Sequence, residues 1–178
     1  LREMAYDTMI YPVKSITIVE VMGRDSGWLT AAAALARTNE INAPQLIYLP
    51  EVPFSIENCI ADTRSLLKER NSVLIAVSEG VKDANGDYIS AADAKKDKFG
   101  HAMLSGAGKA LEHILGQALG VKIRSVELNI PQRCAAHLAS KTDLDEAFGL
   151  AGAGVDLAEE KKTGLMATMV RESGDDYR

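Results

Sequence analysis

Runs of apolar residues, many of them β-branched, recur along the chain and predict its strands. Residues 46–49 and 73–77 are nearly continuously apolar and residues 13–21 are rich in β-branched side chains, which is typical of strands covered by helices on both faces. Residues 121–130 alternate between apolar and polar side chains, and residues 164–170 form a last apolar run. The pattern therefore predicts five strands.

Between these runs, apolar residues recur every three or four positions, as they do on one face of a helix. The helical segments are residues 1–9, 26–37, 55–70, 104–119 and 142–160. Ser55 and Thr142 are the expected N-caps of the third and fifth helices. The alternation of strands and helices predicts an α/β fold, a three-layer, Rossmann-like parallel sheet flanked by helices, with residues 1–178 in a single domain.

The composition disfavours several classes of protein. The net charge of −5 argues against nonspecific binding to nucleic acid or to an acidic membrane, and no apolar run has membrane-spanning length. Cys59 and Cys134 form no paired motif, which favours a reducing, cytoplasmic location. The three histidines have no metal-ligand spacing, so we expect no metal site on this chain.

The first predicted strand ends in a tight turn whose residues can bind an anion. Gly23 breaks the strand, Arg24 lies in the turn, and Asp25 and Ser26 can cap the helix that follows. At this edge of a parallel sheet amide groups converge, and an arginine can form paired hydrogen bonds with phosphate. Most such turns bind nothing, and this one lacks both G-x-x-x-x-G-K-[ST] and G-x-G-x-x-G.

Polar residues also follow the other predicted strands. Glu51 follows the second strand, Glu79 the third and Arg133 the fourth, while Met22 precedes the turn of the first. Arginines for a phosphate, a carboxylate for hydroxyls and an apolar side chain for a ring together suit a phosphorylated sugar. Glu79 could equally cap a neighbouring helix.

Three segments carry a resemblance to a known family. The segment VEVMGRDSGWLTAAAALA resembles the sugar-phosphate segment of the phosphofructokinase family, and more its pyrophosphate-dependent branch than the usual ATP-dependent one. VLIAVSEGV resembles the strand that delivers a glutamate to the sugar hydroxyls, and VKIRSVELNIPQR the segment that carries two arginines. The resemblance implies the phosphofructokinase C-terminal-type domain.

The resemblance also implies roles for single residues. Met22 and Gly23 would contact the sugar, and Glu79 its hydroxyls. Arg24 would face the transferred phosphoryl group and act as the catalytic residue of this chain.

Two further arginines would bind the phosphate of fructose 6-phosphate. Arg133 would bind it directly, whereas Arg124 would be donated across a subunit interface, which implies a homo-oligomer. On its residues alone, Arg124 could equally be a surface arginine on an alternating strand.

The chain departs from the family pattern at two places. Ile130, preceded by Asn129, stands where the family usually offers His or Tyr near the sugar phosphate. Ser15, next to Lys14, stands where the family tends to carry an arginine. Asn129 and Lys14 are the candidate replacements. His101 lies in a segment that resembles the pyrophosphate-dependent branch.

The resemblance covers only the sugar-phosphate half of the family's catalytic unit. The donor-binding motif G-G-D-G or G-G-D-D and the P-K-T-I-D-N-D segment with the general base are absent from this sequence. We therefore expect a fragment of a 6-phosphofructokinase that binds sugar phosphate at most. The intact enzyme would use Mg²⁺, held by ligands outside this chain, to transfer a phosphoryl group from pyrophosphate or ATP to the sugar 1-hydroxyl in glycolysis.

Two other functions remain open for the same fold. The domain could sense a phosphorylated metabolite without transferring phosphate, an interpretation that the departures at Ile130 and Ser15 leave open. It could also serve only as a subunit contact.

Overall fold

The structure of the protein, a computed structural model, describes residues 1–90, 106–173 and 176–177, and the side chains up to residue 170. The chain divides into two compact units, Leu1–Gln132 and Arg133–Arg178. We describe each unit by itself, and a single domain over residues 1–178 stays a prediction.

The first unit is built on a four-stranded parallel sheet in the order β2-β3-β1-β4. Its strands are β1 (Ser15–Val21), β2 (Leu46–Tyr48), β3 (Ser72–Ser78) and β4 (Lys122–Glu127). β1 is therefore an inner strand between β3 and β4, and six of its seven residues are buried. The predicted α/β class with a parallel sheet is confirmed.

Helices cover both faces of this sheet. The helices of the first unit are α1 (Arg2–Met9), α2 (Trp28–Ala32), α3 (Ile56–Glu69) and α4 (Ala107–Leu119), and the chain leaves the unit within α5 (Asn129–Arg133). On one face, Ile16 and Ile18 of β1 pack in a core with Leu111 and Leu115 of α4. On the other, Val19 packs in a second core that includes Ala5 of α1.

Three predicted elements of the first unit end at different residues. The helix expected over residues 26–37 is α2 followed by a 3-10 helix at Ala33–Ala36, because the chain first forms a turn up to Gly27. β4 stops at Glu127, since Asn129 takes a positive φ of 34° that no strand allows. The first two residues of the helix expected over 104–119, and His101, lie outside the described residues.

The second unit contains a 3-10 helix at Ala136–Leu138, the long helix α6 (Lys141–Glu159), and a short antiparallel pair, β5 (Arg171–Ser173) and β6 (Asp176–Tyr177). Ser140, rather than Thr142, caps α6, because the Ser140 Oγ accepts a hydrogen bond from the Asp143 amide at 3.3 Å.

The prediction of a strand at residues 164–170 is wrong. These residues form no strand, and Gly164 takes a positive φ of 72°. Apolar composition alone does not make a strand without a partner strand for its backbone. None of the helices in the described part of the chain is long and apolar enough to cross a membrane.

A buried carboxylate joins β1 to the start of α4. Glu20 is only 4% exposed, and its Oε1 and Oε2 accept hydrogen bonds from the amides of Gly106 at 3.0 Å and Gly108 at 2.7 Å. A Cβ at position 108 would lie 3.3 Å from Glu20 Oε2, so glycine permits this approach. Burial raises the pKa of Glu20, with smaller contributions from the charges of Glu127 and Glu79, and the two amides only partly offset it.

We expect the Glu20→Gln substitution to change how the free energy of unfolding depends on pH. The folded chain binds the Glu20 proton more tightly than the unfolded chain does. The contribution of Glu20 to the free energy of unfolding is therefore complete below the unfolded pKa near 4.5, and it is lost as the pH rises through the raised pKa of the folded chain. The free energy of wild type minus that of the variant, measured by urea denaturation, should therefore fall with rising pH in this window.

Glu112→Gln is the matched control. Hydrogen bonds from Lys109 and Ser125 lower the pKa of Glu112, so the corresponding difference should rise as the pH rises from that lowered pKa towards 4.5. If the two differences change with pH in the same direction, the assignment is contradicted.

Candidate functional site

The loop after β1 lies where three strands end side by side. The last pairs of the register are Val21 with Ser78 of β3, and Glu20 with Glu127 of β4. The residues that follow, Met22 and Glu79 among them, therefore begin at the same edge of the sheet, as the sequence predicted for a parallel arrangement.

Residues at the end of β3 hold Gly23 through both its amide and its carbonyl group. Glu79 Oε1 accepts a hydrogen bond from the Gly23 amide at 3.2 Å, and the Ser78 hydroxyl donates to the Gly23 carbonyl at 2.6 Å. Gly23 has a φ of 147°, and a Cβ there would lie 2.5 Å from the Ser26 carbonyl oxygen. Position 23 therefore requires glycine, and its amide is committed to Glu79.

A second carboxylate fixes the other end of the loop. Glu51 Oε1 accepts a hydrogen bond from the Gly27 amide at 2.6 Å, immediately before α2. A Cβ at position 27 would lie 2.5 Å from Glu51 Oε2. Residues 23–27 are therefore held between two carboxylates that come from the ends of two other strands.

Between these two anchors, the Arg24 backbone lies against Gly80. A Cβ at position 80 would be only 1.5 Å from the Arg24 carbonyl oxygen, so no other residue fits there without moving the loop. The Arg24 side chain is half-buried, and its guanidinium has no hydrogen bond or ion pair among the described residues. Its position is thus set through its backbone, and within the described part of the chain its charge is unpaired.

The neighbouring Asp25 is paired with a different cation. Lys82 Nζ lies 2.8 Å from Asp25 Oδ1 and 4.6 Å from the centre of the Tyr88 ring, and the Tyr88 hydroxyl lies 3.5 Å from the same Oδ1. The hydrogen bond from Lys82 is the main cause of a lowered pKa at Asp25, with a minor contribution from the charge of Arg24. Asp25 is therefore paired mainly with Lys82 and not with Arg24.

Gln132 is a contact residue that the sequence did not reveal. Its Oε1 accepts a hydrogen bond from the Met22 amide at 2.8 Å, 110 positions away in the chain. The available signal was its place in the Pro-Gln-Arg segment after the fourth strand, beside Arg133. Arg133 itself is the last residue of α5 and the first of the second unit.

Arg124 lies away from this loop. It is paired with Thr17 in the middle of β4, and its side chain lines a pocket on the α1 side of the sheet with Asp7, Tyr11 and Lys122. The structure thus brings Met22, Gly23, Arg24 and Glu79 together but places Arg124 of the same chain elsewhere.

The family departures also lie in different places. Ile130 is 62% exposed in α5, and Asn129 beside it has the positive φ described above. Lys14 and Ser15 lie at the amino end of β1 and Gly23 beyond its carboxyl end, roughly 20 Å apart for a strand of seven residues. Lys14 therefore cannot contact the Arg24 loop of its own chain.

We expect Gly80→Ala to destabilise the first unit by about 1–3 kcal/mol, because the new methyl group must displace the Arg24 backbone. Gly116→Ala is the matched control: a Cβ there meets nothing within 4 Å, so the helix should gain about 0.5–1 kcal/mol. Urea denaturation followed by circular dichroism measures both. Equal stabilities for the two variants would show that the loop does not lie against Gly80.

Comparison with known proteins places this geometry in a family. A profile described as phosphofructokinase matches residues 5–127. A pyrophosphate--fructose 6-phosphate 1-phosphotransferase of Xanthomonas campestris pv. campestris (strain B100) is 36% identical over 180 residues, which cover 100% of this chain and 43% of the relative. A sulfofructose kinase of Alkalicoccus urumqiensis is 30% identical, covering 93% of this chain and 42% of the relative.

A solved structure agrees. The crystal structure of a pyrophosphate-dependent phosphofructokinase from Marinobacter aquaeolei superposes with a TM-score of 0.73 at 30% identity, covering 99% of this chain and 41% of that one. The chain thus spans less than half the length of the relatives it matches. From the profile match and the identity over its full length, the chain belongs to the phosphofructokinase family.

Proposed function

We propose that this chain is the fructose 6-phosphate-binding part of a pyrophosphate-dependent 6-phosphofructokinase, which phosphorylates the sugar 1-hydroxyl to give fructose 1,6-bisphosphate in glycolysis. The observation that carries the proposal is the fixed loop at residues 22–27, which carries Arg24, whose guanidinium has no partner among the described residues, and which is hydrogen-bonded through the Gly23 amide to Glu79. The names of the relatives support pyrophosphate and fructose 6-phosphate as the two substrates.

Glu79 has one oxygen left for the sugar. Its Oε1 accepts the Gly23 amide, while no donor among the described residues is recorded for Oε2. A carboxylate oxygen accepts readily from a hydroxyl group, and its position is already fixed by the first hydrogen bond. Glu79 would therefore orient the sugar, with Met22 and Gly23 against its ring.

Arg24 would stabilise the group that is transferred. During phosphoryl transfer negative charge is spread over the equatorial oxygens, and a guanidinium can donate two parallel hydrogen bonds to them. Because hydrogen bonds of Gly23 and Gly27 hold the loop, Arg24 needs little reorganisation when charge develops.

The 6-phosphate would be bound by Arg133 and by Arg124 of a neighbouring subunit. Two features support the second assignment: Arg124 lies on an edge strand of the sheet, and it lies too far from its own Arg24 loop to serve it. A homo-oligomer would bring the two together.

The donor site and the general base would lie in the part of the enzyme that has no counterpart here. Among the described residues, no group of three or more His, Cys, Asp or Glu side chains could hold a metal ion, so we assign no ligand for the implied Mg²⁺. We therefore expect the isolated chain to bind sugar phosphate without turnover.

Sulfofructose is a second candidate substrate, because one relative carries that activity in its name and Ile130 replaces the usual His or Tyr. A sulfonate carries a single negative charge, whereas a phosphate monoester carries −1.5 to −2 near pH 7, and a site with several arginines should favour the phosphate.

Titration of the isotopically labelled chain, followed by amide NMR shifts, tests the proposal. We expect fructose 6-phosphate to shift the Gly23 and Arg24 amides saturably, sulfofructose to bind more weakly, and inorganic phosphate to leave these amides unshifted. Arg133→Met should weaken sugar-phosphate binding roughly tenfold, since a charge-assisted hydrogen bond to the 6-phosphate is worth about 1.5–3 kcal/mol.

Arg64→Met is the control, because Arg64 lies on α3 and, within the described part of the chain, donates a hydrogen bond only to the Ala118 carbonyl, at 3.5 Å. If inorganic phosphate shifts the same amides equally, the site is a general anion site. If Arg133→Met binds the sugar phosphate as well as wild type does, the role of Arg133 is wrong.

A further inference from the structure

The loop at residues 22–27 carries two opposite charges on consecutive residues. The charge of Arg24 contributes to lowering the pKa of Asp25, so the two groups interact, yet their side chains form no ion pair with each other. Because opposite charges at short range attract, the availability of Arg24 depends on what holds Asp25.

Asp25 is held by a cation from outside its loop. The Lys82 Nζ lies 2.8 Å from Asp25 Oδ1, and the two residues are 57 positions apart in the chain. The Tyr88 hydroxyl lies 3.5 Å from the same oxygen, and the Lys82 Nζ lies 4.6 Å from the centre of the Tyr88 ring. Lys82 and Tyr88 therefore contact Asp25 together.

The backbone of Lys82 is fixed in a short hairpin at residues 81–89. Lys82 and Tyr88 form an antiparallel bridge, and the neighbouring Val81 is fully buried. The Lys82 carbonyl accepts a hydrogen bond from the Phe54 amide at 2.8 Å. The position from which the lysine side chain reaches Asp25 is thus set by the backbone.

The turn of this hairpin is closed by its own hydrogen bonds. Asp83 Oδ1 accepts hydrogen bonds from the amides of Asn85 at 2.8 Å and Asp87 at 3.0 Å, and the Gly86 amide donates to the Asp83 carbonyl at 3.1 Å. The hairpin therefore does not need its contact with the loop at residues 22–27 in order to form.

The pair of Lys82 and Asp25 is too exposed to contribute much to stability. The two side chains are 32% and 63% exposed, and ion pairs in contact with water add little to the free energy of unfolding. A lysine that bound a ligand itself would have to leave both Asp25 and Tyr88. The effect that remains is local: while Asp25 is paired with Lys82, it does not pair with Arg24.

We propose that Lys82 is a positioning residue for Arg24: it holds Asp25 and thereby keeps the Arg24 guanidinium free for the phosphoryl group at the sugar 1-position. Without Lys82, Asp25 would be an unpaired carboxylate next to Arg24 and would form an ion pair with it. The identity of the ligand rests on the proposed function, whereas the pairing of Arg24 is a property of the free chain.

The free chain is tested first, through the NMR signal of the Arg24 Nε–H group. In Lys82→Met, we expect this proton to exchange with water roughly threefold more slowly than in wild type, because Asp25 accepts a hydrogen bond from it. The double variant Lys82→Met with Asp25→Asn should restore the wild-type rate. A loss of positive charge alone would not protect the proton.

The binding of two sugar phosphates then tests the consequence. Fructose 1,6-bisphosphate carries the phosphoryl group that Arg24 would face, whereas fructose 6-phosphate lacks it. Lys82→Met should weaken binding of the bisphosphate roughly threefold, the size expected for an exposed ion pair, and leave binding of fructose 6-phosphate unchanged. The double variant has the net charge of wild type and should bind the bisphosphate as wild type does.

Lys109→Met is the matched control, because the Lys109 Nζ also lies 2.8 Å from a carboxylate oxygen, that of Glu112 on α4, and its loss should leave the Arg24 signal unchanged. The proposal is overturned if Lys82→Met does not slow the exchange at Arg24. It is also overturned if the double variant fails to recover bisphosphate binding, since Lys82 would then contact the ligand itself. If neither sugar phosphate binds, the proposed function is wrong, and the exchange at Arg24 in the free chain alone decides the role of Lys82.

Discussion

The candidate site depends on one constraint: the loop after β1 is held by carboxylates that follow other strands. Glu79 after β3 accepts the Gly23 amide, and Glu51 after β2 accepts the Gly27 amide. Hydrogen bonds between an ionised carboxylate and a backbone amide are stronger than neutral ones. With Gly80 directly under the Arg24 backbone, the loop has little freedom to take another path.

The same constraint organises the charges around the loop. Asp25 is paired with Lys82, and the buried Glu20 accepts hydrogen bonds from amides at the start of α4. Each carboxylate therefore has its own partner, and none of them competes with a ligand for Arg24. A cation whose backbone is fixed and whose charge is unpaired among the described residues is preorganised for an anion, which lowers the cost of ordering it on binding.

Sequence reasoning was most successful where local pattern decides structure. The β-branched runs predicted β1 to β4, and the parallel order then placed Gly23, Arg24 and Glu79 at one edge. It failed where the structure depends on contacts between residues that are distant in the chain. The hydrogen bond from the Met22 amide to Gln132 joins residues 110 positions apart, and no local pattern encodes it.

The second unit shows a different reason for failure. Residues 164–170 have the composition of a strand, but a strand also needs a neighbour for its backbone, and among the described residues it has none. In the first unit, which has a buried core, local propensity thus predicted correctly which segments are buried strands.

Amide hydrogen exchange within the loop tests the central claim most directly. If Glu79 and Glu51 hold the loop in solution, the amides of Gly23 and Gly27 exchange much more slowly than those of Asp25 and Ser26, for which no acceptor is recorded among the described residues. If all four amides exchange at the same unprotected rate, the loop is not fixed, and Arg24 is not preorganised for an anion.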